Sequence, residues 1–314
     1  MTSADVVICT YTDDRWELLE RAVRSALEQS VTPQQVIICV DHNDALYERC
    51  RTAWADVTSI VVVPNAFAGR LGSARNTALL QCKADVVAFL DDDAAAEPDW
   101  LERLLVVYAG NPYAVAVGGA PRPDYGAPRP DWFPPAFDWV FGCHYSALPD
   151  QLAPVRHLIG ASMSVRREAI LAEGGFHADD HDDMDLSHRI AHTHGPAAVL
   201  YEPRAEVRHY VAPQRLTWRY FWRRCYFVNR SKVGAFADMG DAGNIGAEVR
   251  FGLRILAALV PALLVALTGR PKRLAQASVA AAGLVLGATG HVVGRIELAL
   301  GRRKPIATTG LSGA

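Results

Sequence analysis

The sequence predicts an α/β fold: a mostly parallel sheet flanked by helices, followed by a C-terminal hydrophobic helical hairpin. Three observations carry this. Short apolar runs at 6–9, 36–40, 59–63 and 86–90 alternate with segments of helical spacing. The runs are apolar throughout, as strands covered on both faces must be. Uncharged stretches then dominate from Ile255 onward. After the first strand, Thr12 or Asp13 can cap a helix, and Trp16, Leu19, Val23, Ala26 and Leu27 recur at its period. Residues 73–83 read as a helix leading into the fourth strand. In such sheets ligands bind beyond the carboxyl ends of the strands. Thr10, Tyr11, Asp41 and the run Asp91, Asp92, Asp93 occupy those ends.

Half of the 314 residues are apolar and 21% are charged, which excludes a disordered chain. The net charge of −2 hides an asymmetry: residues 201–314 hold 17 Lys/Arg against 6 Asp/Glu, so they carry +11 and the body −13. The stretch Trp218 to Tyr226 interleaves aromatic and basic residues. With so acidic a body, it reads as a membrane-interface helix and not as a nucleic-acid site. The six cysteines show neither zinc spacing nor a disulfide framework, so reduced thiols in a cytosolic body are expected. Residues 1–5 lead straight into the first strand without the pattern of a signal peptide.

Between 121 and 135 six prolines crowd together with Trp132 and Phe133, predicting an irregular loop over the mouth of the sheet. The tail holds two uncharged runs, 255–268 and 274–293, and a span needs about 20 apolar residues. The second run qualifies. The expectation is a domain at 1–232 and a membrane-associated helical region at 233–314, anchored at the cytoplasmic face. The two runs favour a tight membrane hairpin with both ends cytoplasmic; the basic residues between them, Arg270, Lys272 and Arg273, weaken that reading, and the alternative is a pair of helices packed on the membrane surface, on the body or on a partner chain.

The chemistry-bearing residues fall into clusters. Three carboxylates at a strand end repel one another unless a cation sits among them, and hard oxygen ligands suit Mg²⁺ or Mn²⁺. Asp41 can accept the imide N–H of uracil, though Asp and Asn also favour turns. The segment from Gly69 to Asn76 joins the third strand to a helix, and Arg75 can pair with phosphate. It is neither a Walker loop nor a dinucleotide fingerprint. Between 179 and 185, five aspartates exceed what capping a helix requires, and one can serve as general base. His209 closes a strand-like run and can complete a metal shell.

Taken together these residues resemble family 2 glycosyltransferases of the GT-A fold, over residues 6–232. Thr10 and Tyr11 match the residues that line that family's nucleotide pocket, and Asp41 matches its base-binding aspartate. Gly72, Ala74, Arg75 and Asn76 match its G-x-A-R-N segment. Asp91, Asp92 and Asp93 match its D-x-D motif, with Asp93 the direct metal ligand. Residues 159–167 and 174–176 resemble its acceptor side. Asp182, Asp183 and Asp185 resemble its E-D-x-D-L motif, which makes Asp183 the catalytic base, with Asp182 standing where Glu is more usual. The Q-x-x-R-W signature of processive synthases is missing, which favours transfer of a single sugar. Residues 143–156 with the basic tail are similar to membrane-associated bacterial and archaeal members that build surface glycans.

The resemblance implies an inverting, metal-dependent transfer from a nucleoside-diphosphate sugar to a hydroxyl of a lipid-linked or cell-surface glycan; Asp41, which suits uracil, favours a UDP-linked donor, with GDP and dTDP open. The implied cofactor is Mn²⁺ or Mg²⁺. The implied partners are the sugar donor, the glycan or lipid-linked acceptor and the membrane, with no nucleic acid. Three other readings fit parts of the pattern. A polyprenyl-phosphate sugar transferase needs no base, a sugar nucleotidyltransferase releases pyrophosphate, and a membrane scaffold keeps the fold without the activity.

Overall fold

The computed structural model describes residues 2–68, 70–176, 181–235, 246, 252–257, 271–302 and 311. Gly69, Asp179, Asp180 and residues 258–268 of the first apolar run lie outside the described residues, as do Gly269 and Arg270 after it.

Strands β1 (Ala4–Thr10), β2 (Val36–Val40), β3 (Ile60–Pro64) and β4 (Val86–Asp91) pair in parallel, in the order β3-β2-β1-β4. Helices α1 (Trp16–Leu27), α2 (Asp44–Ala53) and α3 (Leu71–Leu79) follow the first three strands. Thr12 Oγ1 accepts the Asp14 N–H at 3.2 Å, capping a short 3-10 turn that leads into α1. Alternation along the strands splits the core in two. Val6, Ile8, Ile38 and Leu90 face one side, with Leu19, Leu46 and Trp100 against them. Val7, Ile37, Val87 and Phe89 face the other, against Ala74, Leu79 and Leu186. Each fully buried large apolar side chain contributes about 1.5–3 kcal/mol, so both faces are held by substantial cores.

The remaining strands are antiparallel additions. They are β5 (Ala94–Ala96), β6 (Ala116–Tyr125), β7 (Ala153–Pro154), β8 (Ser162–Arg166) and β9 (Val199–Val211). Among the described residues the sheet has nine strands, with order β3-β2-β1-β4-β8-β6-β9-β5 and β7 paired to β9. Helices α4 (Trp100–Gly110), α5 (Arg167–Ala172) and α6 (Asp182–His194) complete the covering. Two of the antiparallel registers build the site. β8 runs against β4 with Leu90 opposite Ser162, which brings residues 159–161 beside the Asp91 end. β5 runs against β9 with Ala94 opposite His209, which sets that histidine beside Asp93.

The chain forms two compact units: Met1–Arg122, Pro149–His209 and Ala307–Ala314 in one, Pro123–Leu148 and Tyr210–Ile306 in the other. From Pro123 onward the proline-rich segment belongs to the second. Its aromatics form that unit's own core, with Phe133 stacked on Phe141 at 4.5 Å and edge-on to Phe221 at 5.4 Å. Phe221 lies on α7 (Trp218–Ala235), beside which runs α8 (Pro271–Ala299). The two helices point the same way. Gly283 of α8 meets Phe221, Gly287 meets Asn229, Gly290 meets Tyr226 and Gly294 meets Val233. A side chain at Gly290 would overlap the Tyr226 carbonyl oxygen, so the glycines permit the close approach. An ion pair between Arg230 and Glu297 ties the far ends. Among the described residues, residues 272–299 form the one helix long and apolar enough to cross a membrane. All six cysteines are free.

Candidate active site

The carboxyl ends of β1, β2 and β4 gather Thr10, Tyr11, Asp41 and the acidic triplet. Thr10 is buried at the end of β1, and Tyr11 just beyond it is 60% exposed. Asp41 follows β2 and accepts hydrogen bonds from Asn65 Nδ2 at 2.7 Å, with His42 Nδ1 at 2.6 Å. His42 itself takes a left-handed φ of +50° directly after it.

Asp91 ends β4, and the chain then turns through Asp92 and Asp93, both buried, into β5. Ligand atoms of Asp91, Asp93 and His209 lie within 4.8 Å of one another. His209 Nε2 is 3.1 Å from Asp93 Oδ1. Arg15, from the turn before α1, sets its Nη1 3.0 Å from Asp93 Oδ2 and 3.2 Å from Asp92 Oδ1. Burial pushes the Asp92 carboxyl up to about 7, against the pull of Arg15, and the neighbouring Asp93 adds to the rise. Two carboxylate oxygens and an imidazole nitrogen form a donor set that suits Mn²⁺ and accommodates Mg²⁺ through the oxygens.

The second cluster meets the first through one side chain. Arg75, on α3, is buried. Its Nη1 donates to Asp182 Oδ2 at 2.9 Å, and its Nη2 donates to Asp91 Oδ1 at 3.2 Å and to the Gly160 carbonyl at 3.1 Å. Asp182 is buried at the start of α6, where burial pushes its carboxyl up to about 7, with Arg75 opposing and Asp183 adding. Asp183 is half-buried. Its Oδ2 accepts the Gly160 N–H at 2.9 Å and its Oδ1 accepts the Met184 N–H at 2.8 Å. A side chain at 160 would crowd both Arg75 and Asp183, so glycine keeps the two in reach of the same backbone unit. Arg75 thus faces carboxylates from two motifs. Asn76 faces backbone: it donates to the Phe176 carbonyl and accepts the Phe176 N–H, both at 2.7 Å. The Cys9 thiol, opposite Cys39 across β1 and β2, is held well above its ordinary range, first by its hydrogen bond to Cys39 and then by burial.

Sequence reasoning passed over Arg15 and Asn65. Arg15 left a signal: a cation just before a helix start opposes the helix dipole and so requires a carboxylate partner. Asn65 follows β3 as Asp41 follows β2, yet nothing in its neighbours shows that its amide ties Asp41 to Ser73.

A sheet whose parallel half ends in an acidic triplet, with a mixed half carrying a second acidic motif up to it, defines a GT-A glycosyltransferase. Solved structures show the same fold. The mannosyltransferase PcManGT from Pyrobaculum calidifontis, in complex with GDP-Man and Mn²⁺, superposes with a TM-score of 0.59 at 19% identity, over 93% of this chain and 87% of that one. GalNAc-T7 with UDP, GalNAc and Mn²⁺ gives a TM-score of 0.52 at 15% identity, over 80% of this chain and 54% of that one. Residues 5–174 match the model of glycosyl transferase family 2, and the chain belongs to that family. It is 34% identical over 233 residues to the glucosyl-dolichyl phosphate glucuronosyltransferase of Haloferax volcanii, covering 69% of this chain and 74% of the relative. It is 28% identical over 117 residues to the amylovoran biosynthesis glycosyltransferase AmsE of Erwinia amylovora, covering 37% and 44%. The protein is therefore an enzyme, a glycosyltransferase, and the nucleotidyltransferase and scaffold readings fall away.

Proposed function

We propose that this enzyme moves a single sugar, with inversion, from a UDP-linked donor to a hydroxyl of a lipid-linked or cell-surface glycan. The observation that carries the reading is the bridge from Asp91 through Arg75 to the Asp182–Asp183 pair, which sets a candidate base beside a candidate cation site. Thr10, Tyr11 and Asp41 hold the nucleotide, and Asp91, Asp93 and His209 hold Mn²⁺ or Mg²⁺. The bound ion offsets charge on the diphosphate leaving group. Asp183 is the base: it is half-buried and reachable, while Asp182 is buried and engaged by Arg75. The acceptor hydroxyl gives its proton to Asp183 Oδ2 as its oxygen attacks the anomeric carbon from the face opposite the nucleotide. Arg75 pulls the Asp182 carboxyl down against burial and fixes the spacing of the two acidic motifs. Asp92, Arg75 and Asn76 support the donor pocket from beneath.

The relative's name supports a lipid-phosphate-linked sugar as acceptor. The apolar α8 supports attachment of residues 233–314 to the cytoplasmic face of a membrane, with residues 1–232 as the catalytic part. The test is a panel of nucleotide sugars offered with a polyprenyl-phosphate-linked glucose and Mn²⁺. One donor should be consumed, and Asp183→Asn should lose at least 100-fold in kcat while still binding nucleotide. Full activity of Asp183→Asn, above all with bare polyprenyl phosphate as acceptor, would replace this reading with a phosphate-acceptor transferase.

A further inference from the structure

The candidate cation site already contains a cation of the protein's own. Both ion pairs of Arg15 run through Nη1, to Asp92 Oδ1 and to Asp93 Oδ2. Asp93 turns its other oxygen to His209. The guanidinium also lies over the Tyr11 ring, 4.9 Å from its centroid, and its side chain keeps 24% of its surface exposed while those of Asp92 and Asp93 keep 5% and 6%. Arg15 therefore touches the acidic triplet on one side and the exposed ring at the end of β1 on the other.

The charges decide what this does. Asp91, Asp92 and Asp93 carry three negative charges when ionised; Arg15 pairs with Asp92 and Asp93, while Arg75 divides its charge between Asp91 and Asp182. A divalent ion added alone meets carboxylates whose charge Arg15 already offsets in part, with Arg15 itself one carboxylate away. A divalent ion added with a nucleoside diphosphate brings its own counter-charge, and Arg15 then faces an anion. We propose that Arg15 makes cation binding depend on the nucleotide: in the metal-free site it holds Asp92 and Asp93 together, and the arriving diphosphate takes over its charge. Arg15 is a positioning residue, and its action rests on the reading that Asp91, Asp93 and His209 hold a divalent ion beside a nucleoside diphosphate.

The experiment is calorimetry on the full chain, wild type and Arg15→Gln, with MnCl₂ alone and then with UDP or GDP at saturating Mn²⁺. Removing the arginine should tighten Mn²⁺ alone at least tenfold and weaken the nucleotide at least tenfold. A residue that merely braces the fold cannot move the two constants in opposite directions. Arg15→Lys, which keeps the charge without the planar fork, should shift both with the same signs and smaller size, and serves if Arg15→Gln does not fold. Constants that stay put, or move together, overturn the inference alone. A wild-type chain that binds neither nucleotide in the presence of Mn²⁺ overturns the site reading and the inference with it.

Discussion

Replacing Arg75 with methionine removes a guanidinium whose side chain is 3% exposed and leaves Asp182, 6% exposed, without its counter-ion. Breaking a buried pair from one side costs about 3–5 kcal/mol, because the remaining charge is stranded. For a domain of this size that corresponds to a fall in Tm of about 6–20 °C. The loss has a pH signature. Burial already raises the Asp182 carboxyl to about 7, above its unfolded value, so the folded chain binds the proton more tightly than the unfolded one. Its contribution is full below the unfolded value of 3.8 and is lost as pH rises through 7. Without Arg75 the group titrates still higher. The deficit of Arg75→Met should therefore be largest near pH 8 and shrink toward pH 5, and adding Asp182→Asn should restore most of it. Denaturant unfolding of the full chain at several pH values measures this. A deficit below about 1 kcal/mol at pH 8, or one indifferent to pH, would refute the buried bridge.

Two further outcomes follow from the geometry. His209→Ala takes away the one nitrogen ligand of the candidate cation group and should weaken Mn²⁺, measured with UDP present, at least tenfold; unchanged affinity would remove His209 from that group. Gly290→Val drives a side chain into the Tyr226 carbonyl and should destabilise the second unit by about 1–3 kcal/mol, seen as a lower Tm, whereas an unchanged Tm would contradict the close packing of α7 on α8.

The parallel half of the fold was legible because its strands are unbroken apolar runs that turn signals bracket. The antiparallel half was not. β6 carries Gly118, Gly119, Pro121 and Pro123, which speak against a strand, and β8 alternates serines with apolar residues. Those serines are buried because Trp100 Nε1 donates to Ser162 and the Tyr108 hydroxyl meets Ser164, partners about 60 residues away in sequence. The acidic motifs were legible as chemistry, and their meeting was not. Arg75 looked like a phosphate ligand because carboxylates 16 and 107 residues distant cannot be assigned to it by spacing. The helix at 73–83 begins earlier and stops at Leu79, since Asp5 captures the Lys83 and Ala84 N–H groups. The proline-rich loop also differs in kind: its rings find their partners on α7, a contact that composition cannot announce.

One guanidinium answering two acidic motifs leaves the enzyme little freedom to drift at either. Lengthening residue 182 to glutamate would push Arg75 toward Asp91, and shortening it would pull Arg75 away, so a substitution at one position is felt at the other.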